Sequence, residues 1–176
     1  MAPDQLNMLI IRDEQVDDYP RVYEINTSAF ETDAEARLVN ALRRKARPVI
    51  SLVAERDNTV LGHIMFSPVQ IDEEAAGGRT MGLGPMAVHP DAQRSGVGAR
   101  LIQAGLDACR ALRTELVFVL GHPEYYPRFG FKPAADSGFH YQDEKLNDFF
   151  FVLELTKGAA SGLSGEVVYH PAFDNV

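Results

Sequence analysis

The sequence predicts a mixed α/β fold: a central, mostly antiparallel sheet flanked by helices, with one parallel strand pair. Three observations carry that expectation. Apolar runs at residues 50–55 and 60–71 flank the dipeptide Asp57-Asn58, the pattern of a β-hairpin. Between Met81 and Leu120 the order is strand, helix, strand, and only this unit reads as a right-handed parallel crossover. Its closing strand, ELVFVL from Glu115 to Leu120, is an apolar run, as expected of a strand covered on both faces. The order as a whole, β-α-α-β-β-β-α-β-α-β-β, otherwise alternates as antiparallel hairpins do, unlike a doubly wound nucleotide-binding fold.

The elements follow in chain order. Residues 8–14 (MLIIRDE) read as a short strand. Asp17 and Asp18 can cap a helix that carries Val22, Ile25 and Ala29 at helical spacing. A second helix follows Asp33, with Ala34, Leu38 and Leu42 on one side and Arg37, Arg43, Arg44 and Lys45 elsewhere. After the hairpin, residues 71–80 (IDEEAAGGRT) turn acidic and then Gly-rich, which reads as a connection between paired strands. GLGPMAVHP is a further strand. Residues 98–112 form a helix with two apolar rows, Leu101/Gly105/Ala108/Leu112 and Ile102/Leu106/Cys109. A short helical turn lies around Tyr125, and FFFVLEL (residues 149–155) is the last strand of the body. KGAASGLSG then releases the tail EVVYHPAF, whose apolar residues are expected to pack back.

A chain of 176 residues fits one domain, residues 1–176, with 157–176 as its tail, and is long enough to bury a core without disulfides or a structural metal. The net charge of −8 argues against a phosphate-backbone binder, so no nucleic-acid partner is expected; it mildly favours a cationic substrate. The single cysteine, Cys109, excludes an internal disulfide and a cysteine-based zinc cluster. The five histidines show no metal-ligand spacing, so no metal is expected. No run reaches the roughly 20 apolar residues of a membrane span, and the first residues do not read as a signal peptide. A cytoplasmic protein, monomeric or homodimeric, is the expectation.

The chemistry concentrates between Met81 and Leu101. An apolar strand meets Pro90, a polar loop follows, and Gly96 and Gly98 open an amphipathic helix. Free N–H groups at a helix N-terminus and the helix dipole attract anions, and glycines let a phosphate approach the main chain. Arg94 adds a cation. The dinucleotide pattern G-x-G-x-x-G fails at Leu101, and G-K-[ST] is absent. Upstream, Pro85 can donate no ladder hydrogen bond, so it implies a bulge or broken pairing, and Gly82 and Gly84 allow close approach by a backbone or a ligand. A strand splayed from ELVFVL leaves backbone groups of Met86 and Val88 free for an extended, amide-containing ligand. Pantetheine joined to a pyrophosphate, as in coenzyme A, has that form.

Gln93-Arg-Ser-Gly-Val-Gly98 after Met86-Ala-Val-His-Pro90 resembles the acyl-CoA motif of the GNAT N-acetyltransferase superfamily. Tyr126-Pro-Arg-Phe-Gly130-Phe131 looks like that family's Y-x-x-x-G-F. The run from Val119 to Phe131 is similar to the YhbS-like bacterial members, as is the pattern Ala29-Phe30, Glu35, Leu38-Val39, Leu42-Arg43. The resemblance implies a GNAT-like acyl-CoA N-acyltransferase fold and acetyl-CoA as cosubstrate. It implies that Met86 and Val88 bind pantetheine through backbone groups, with Ala87 between them in the cofactor site, and that Arg94, Ser95, Gly96, Val97, Gly98 and Ala99 hold the pyrophosphate, with Gln93 at the loop entrance. Tyr126 matches the tyrosine that protonates the departing thiolate; a core tyrosine packed beneath Phe129 and Phe131 is its other reading. Where many members carry an asparagine, this chain has Val119-Leu-Gly-His-Pro123.

Acetyl transfer needs a neutral amine, whereas an alkylamine with a pKa of about 10.4 is mostly protonated at neutral pH. A base must therefore take a proton, and Glu31, Glu35, His122 and Glu124 are candidates, each with a solvated surface role as the alternative. His63 reads as a satisfied sheet histidine, His89 as a shaper of the loop, and Cys109 as core. The functional expectation is an N-acetyltransferase acting on a primary amine of a small molecule or protein by direct attack in a ternary complex. A non-catalytic acyl-CoA sensor or interaction module is the alternative.

Overall fold

The computed structural model describes residues 8–72 and 79–176. In chain order it contains β1 (Ile10–Asp13), α1 (Tyr19–Ala29), α2 (Ala34–Lys45), β2 (Ile50–Arg56), β3 (Thr59–Pro68), β4 (Gln70–Ile71), β5 (Thr80–Val88), α3 (Val97–Ala111), β6 (Leu116–Leu120), β7 (Lys132–Pro133), β8 (Phe139–Tyr141), β9 (Phe150–Glu154) and β10 (Gly165–Val168). Among the described residues one sheet runs β1-β2-β3-β5-β6-β9-β7, and a smaller one runs β4-β10-β8. In the large sheet only β5 and β6 pair in parallel; the other neighbours are antiparallel. The mixed sheet with one parallel pair is thus the expected fold class.

Side-chain alternation explains the layers. Val117 and Val119 on β6 face the side covered by α3, where Leu101, Ile102, Leu106 and Cys109 close a core with Ile64, Phe66 and Leu83. Leu116 and Phe118 face the opposite side, with Phe139, Phe150, Val167 and Tyr169. Farther along that side, α1 and α2 pack Val22, Ile25, Leu38 and Leu42 on Val53, Met65 and Ala87. β6 is buried on both faces, as its unbroken apolar run predicts. The side opposite α3 therefore carries two coverings, the α1/α2 pair and the small sheet with its tail. Phe173 packs against both clusters.

Four local readings need correction or completion. Asp18 does not cap α1 with its side chain; it accepts two hydrogen bonds from the Arg12 guanidinium, at 2.7 and 2.9 Å, and one from the Gln15 N–H. That ion pair outcompetes a cap because it satisfies both carboxylate oxygens at once. The run from Val60 to Ile71 is not one strand: it breaks after Pro68, and β4 crosses to the small sheet to pair with β10. β3 and β5 are antiparallel, as a hairpin requires, but residues 73–78 of their connection lie outside the described residues, as do residues 1–7 at the chain start. The short strands β7 and β8 were not anticipated; at two and three residues they carry too little pattern to read. The tail does pack back, through β10 and the turn Pro171–Asn175 against α2. Among the described residues, no helix is long and apolar enough to cross a membrane.

Candidate active site

β5 lies between β3 and β6. Its parallel pairing with β6 runs from Thr80 opposite Leu116 to Leu83 opposite Val119 and stops there. At that point the register against β3 shifts between Ile64 and Phe66, opposite Gly84 and Pro85. Pro85 has no N–H to donate, and Gly84 adopts a φ of +144°, which few other residues tolerate. Beyond the bulge Met86, Ala87 and Val88 pair only with β3.

Alternation decides which backbone groups face the gap. The His89 N–H donates to the Leu61 carbonyl of β3 at 2.8 Å, so Ala87, two residues earlier, points the same way, and Met86 and Val88 point toward the opening beside β6. Ala87 therefore turns its backbone away from the gap, and its side chain is buried against α1 and α2. The Val88 carbonyl already accepts the Gln93 side-chain amide at 3.0 Å, which ties the loop to the strand.

The loop that follows is built to expose main chain. The His89 side chain accepts from the Asp91 N–H at 3.2 Å, the loop-shaping part read for it, and the Ser95 hydroxyl donates to the Ala92 carbonyl. Arg94 and Gly96 take φ values of +60° and +86°. A Cβ on Gly96 would meet nothing within 4 Å, so the turn is open to an incoming group, while its φ favours glycine. Val97 buries its side chain in the α3 core and leaves only its backbone to a ligand. A Cβ on Gly98 would come 3.1 Å from the Tyr125 hydroxyl, so that phenol stands beside the first turn of α3. Gly98 and Ala99 are half-buried, and Arg94 is exposed with no side-chain partner among the described residues. Unpaired first-turn amides, a helix dipole and a free cation suit a diphosphate at this end; the open edge of Met86 and Val88 suits a chain of amides.

Past β6, Gly121 makes room for Tyr126: a Cβ there would sit 2.0 Å from the tyrosine ring. Tyr126 is 7% exposed and packs edge-on to Phe131 and Tyr125. Burial, with a smaller contribution from Tyr125, raises its phenol pKa well above the ordinary value, so it stays protonated at neutral pH. The core position and the donor position are compatible, because Tyr126 also lines a cleft of about 520 Å³. That cleft is lined by the strand opening (Leu83, Pro85, Met86), by His122 and Tyr126, and by Phe30, Glu35, Tyr169 and Phe173 from the two coverings.

Of the base candidates, Glu35 and His122 line this cleft, whereas Glu31 and Glu124 are exposed and do not. His63 lies elsewhere, fully buried, 2.8 Å from the Ser51 hydroxyl. Cys109 is core; burial pushes its thiol pKa up to about 12, which makes it inert at neutral pH. Sequence reasoning missed Tyr141 and Tyr169 as cleft residues; the apolar tail was the available signal for Tyr169. The space at Gly82 is taken by the Tyr169 ring, 2.7 Å from where a Cβ would stand, and not by another backbone or a ligand.

Known proteins resemble this chain in sequence and in fold. The sequence profile of the acetyltransferase (GNAT) family matches residues 10–131. The uncharacterized N-acetyltransferase YhbS of Escherichia coli is 34% identical over 167 residues, 94% of this chain and 99% of that protein. YjhQ, an uncharacterized N-acetyltransferase of E. coli K12, is 41% identical over 121 residues, 67% of each chain. The crystal structure of E. coli YhbS in complex with CoA superposes with a TM-score of 0.91 at 32% identity, covering 99% of this chain and 96% of that one. A GNAT acetyltransferase from Brucella melitensis in complex with acetyl-CoA gives a TM-score of 0.79 at 36% identity, covering 96% and 99%.

Proposed function

The chain belongs to the acetyltransferase (GNAT) family, and from that premise we propose that it transfers an acetyl group from acetyl-CoA to a primary amine within a ternary complex. The observation that carries the reading is the end of β5–β6 pairing at Leu83 and Val119, which opens an unpaired edge at Met86 and Val88 directly before a glycine turn and the α3 N-terminus. The complexes of YhbS with CoA and of the Brucella acetyltransferase with acetyl-CoA support the choice of cosubstrate.

In this reading Met86 and Val88 hold the pantetheine amides through their backbones. The main chain from Arg94 to Ala99, with the Arg94 guanidinium, holds the pyrophosphate; Gln93 and Ser95 hold the loop. Acetyl-CoA supplies an activated thioester whose leaving group has a thiol pKa of about 8.5. Tyr126 keeps its proton and offers it at the phenol oxygen where the cleft meets the strand opening. The amine enters the cleft and attacks directly, with no acyl-enzyme, since among the described residues no nucleophile with a recognisable base partner borders it.

The first test is thermal unfolding with and without acetyl-CoA, with NAD as control. A ligand at about 100 times its Kd stabilises the folded state by about 2.7 kcal/mol. A rise with acetyl-CoA alone is expected; no rise at millimolar concentration sinks the reading.

A further inference from the structure

Resting on the acetyltransferase reading, we propose that the acceptor is a small primary monoamine with an apolar aromatic or aliphatic body and no second charged group, and that Glu35 and Tyr169 receive its nitrogen. The cleft has the volume of a small-molecule site. Beyond the strand opening its walls are carbon-rich: Phe30, Leu38, Tyr141, Tyr169 and Phe173. Among the described residues, Glu35 brings the one side-chain carboxylate to the lining, and no lysine or arginine side chain lines it. A substrate carboxylate would lie against Glu35 with no cation to offset it, whereas an ammonium or amine finds an acceptor there.

Two orphan polar atoms strengthen the assignment. The Glu35 Oε2 and the Tyr169 hydroxyl are both buried, and neither has a hydrogen-bond partner among the described residues. Buried polar atoms are nearly always paired, because an unpaired one forfeits its hydration without return. These two border the same cleft, and both can accept a hydrogen bond. An amine brings two or three donors on one nitrogen, and its apolar body matches the aromatic wall. The residues come from separate coverings, Glu35 from the first turn of α2 and Tyr169 from the tail, so the site exists only once the tail packs on the body.

The experiment compares 2-phenylethylamine, phenylalanine and cadaverine as acceptors with the full chain and acetyl-CoA, following thiol release and the mass of the product. 2-Phenylethylamine is expected to exceed phenylalanine and cadaverine in kcat/KM by at least about tenfold, the discrimination expected of one charged hydrogen bond in a dry site. Glu35→Gln should raise the KM for 2-phenylethylamine about ten- to a hundredfold. Tyr169→Phe keeps the ring, removes the orphan hydroxyl and should raise KM less. Both variants should keep the wild-type thermal shift with acetyl-CoA, which shows that they fold and bind the cosubstrate. Equal or better use of phenylalanine or cadaverine, no turnover of 2-phenylethylamine, or an unchanged KM in Glu35→Gln each overturns the proposal while the shift with acetyl-CoA stands. Absence of that shift in the wild type strikes the underlying reading instead.

Discussion

His63 carries no charge in the folded protein near neutral pH. It is 0% exposed, and desolvation, aided by the neighbouring Arg43 cation and only partly opposed by Asp18, lowers its pKa to about 3. In the unfolded chain a histidine titrates at about 6.5. Between those values the unfolded state binds the proton and the folded state does not. Stability is therefore full above pH 6.5 and falls as the pH drops toward 3, by at most about 1.4 kcal/mol per pH unit from this residue. Urea unfolding at pH 7.5 and 5.5 should show the decline, and His63→Gln should flatten it; an unchanged slope would assign it to other groups. Tyr126 bears on rate instead. Tyr126→Phe keeps the ring packed on Phe131 and removes the proton donor, so kcat should fall about 10²-fold or more while acetyl-CoA affinity holds. Equal kcat would return Tyr126 to a packing role and favour a non-catalytic acyl-CoA binder. Both residues were singled out from the sequence, but the environment that sets each pKa was not legible there, because burial is supplied by distant strands.

At the scale of elements, α3 does two jobs with its two ends. Its body packs on the sheet so closely that a Cβ on Gly105 would stand 2.2 Å from the Phe66 ring. Gly105→Ala should therefore cost about 1–3 kcal/mol through overpacking, despite alanine's better helix propensity. A shift in the unfolding midpoint measures it, and a neutral or stabilising result would mean that Phe66 can move aside. Its N-terminus projects amides into open space at Gly96. Gly96→Ala strains a φ of +86° by about 1 kcal/mol, an effect that falls on the turn rather than on the core. Acetyl-CoA should then bind more weakly, with the unliganded unfolding midpoint changing little; unaltered affinity would separate this turn from the pyrophosphate. The N-terminal glycines were legible because they sit within one short motif. Gly105 was seen only as part of an apolar row, since its contact partner lies on another strand.

The whole molecule closes around Tyr169. Its ring fills the space left at Gly82, packs edge-on to Tyr141 and Phe173, and forms part of the core beneath the small sheet. Tyr169→Ala should lower stability by about 3–5 kcal/mol, as for other large buried aromatics, and enlarge the acceptor end of the cleft. Calorimetry with and without acetyl-CoA would read both parts: a lower midpoint, with the increment from the cosubstrate kept. A midpoint near the wild-type value would show that the tail packs through other contacts.

By itself the sequence determined the fold class, the broken strand at Pro85 and the candidate cosubstrate cradle from Met86 to Ala99. Each of these depends on neighbours within a few residues: a missing N–H, a positive φ, a run of apolar side chains. The tertiary structure alone decided that Ala87 turns toward β3, that β4 leaves the hairpin for β10, and that Tyr169 occupies the space at Gly82. It also decided which acidic residues reach the cleft. Glu31 lies in the bend between α1 and α2 and Glu35 in the first turn of α2, yet only Glu35 lines it, because α2 packs against the turn that ends the tail. Pairing partners and burial are set by contacts between segments far apart along the chain, and no local pattern encodes which distant surface will cover a given side chain.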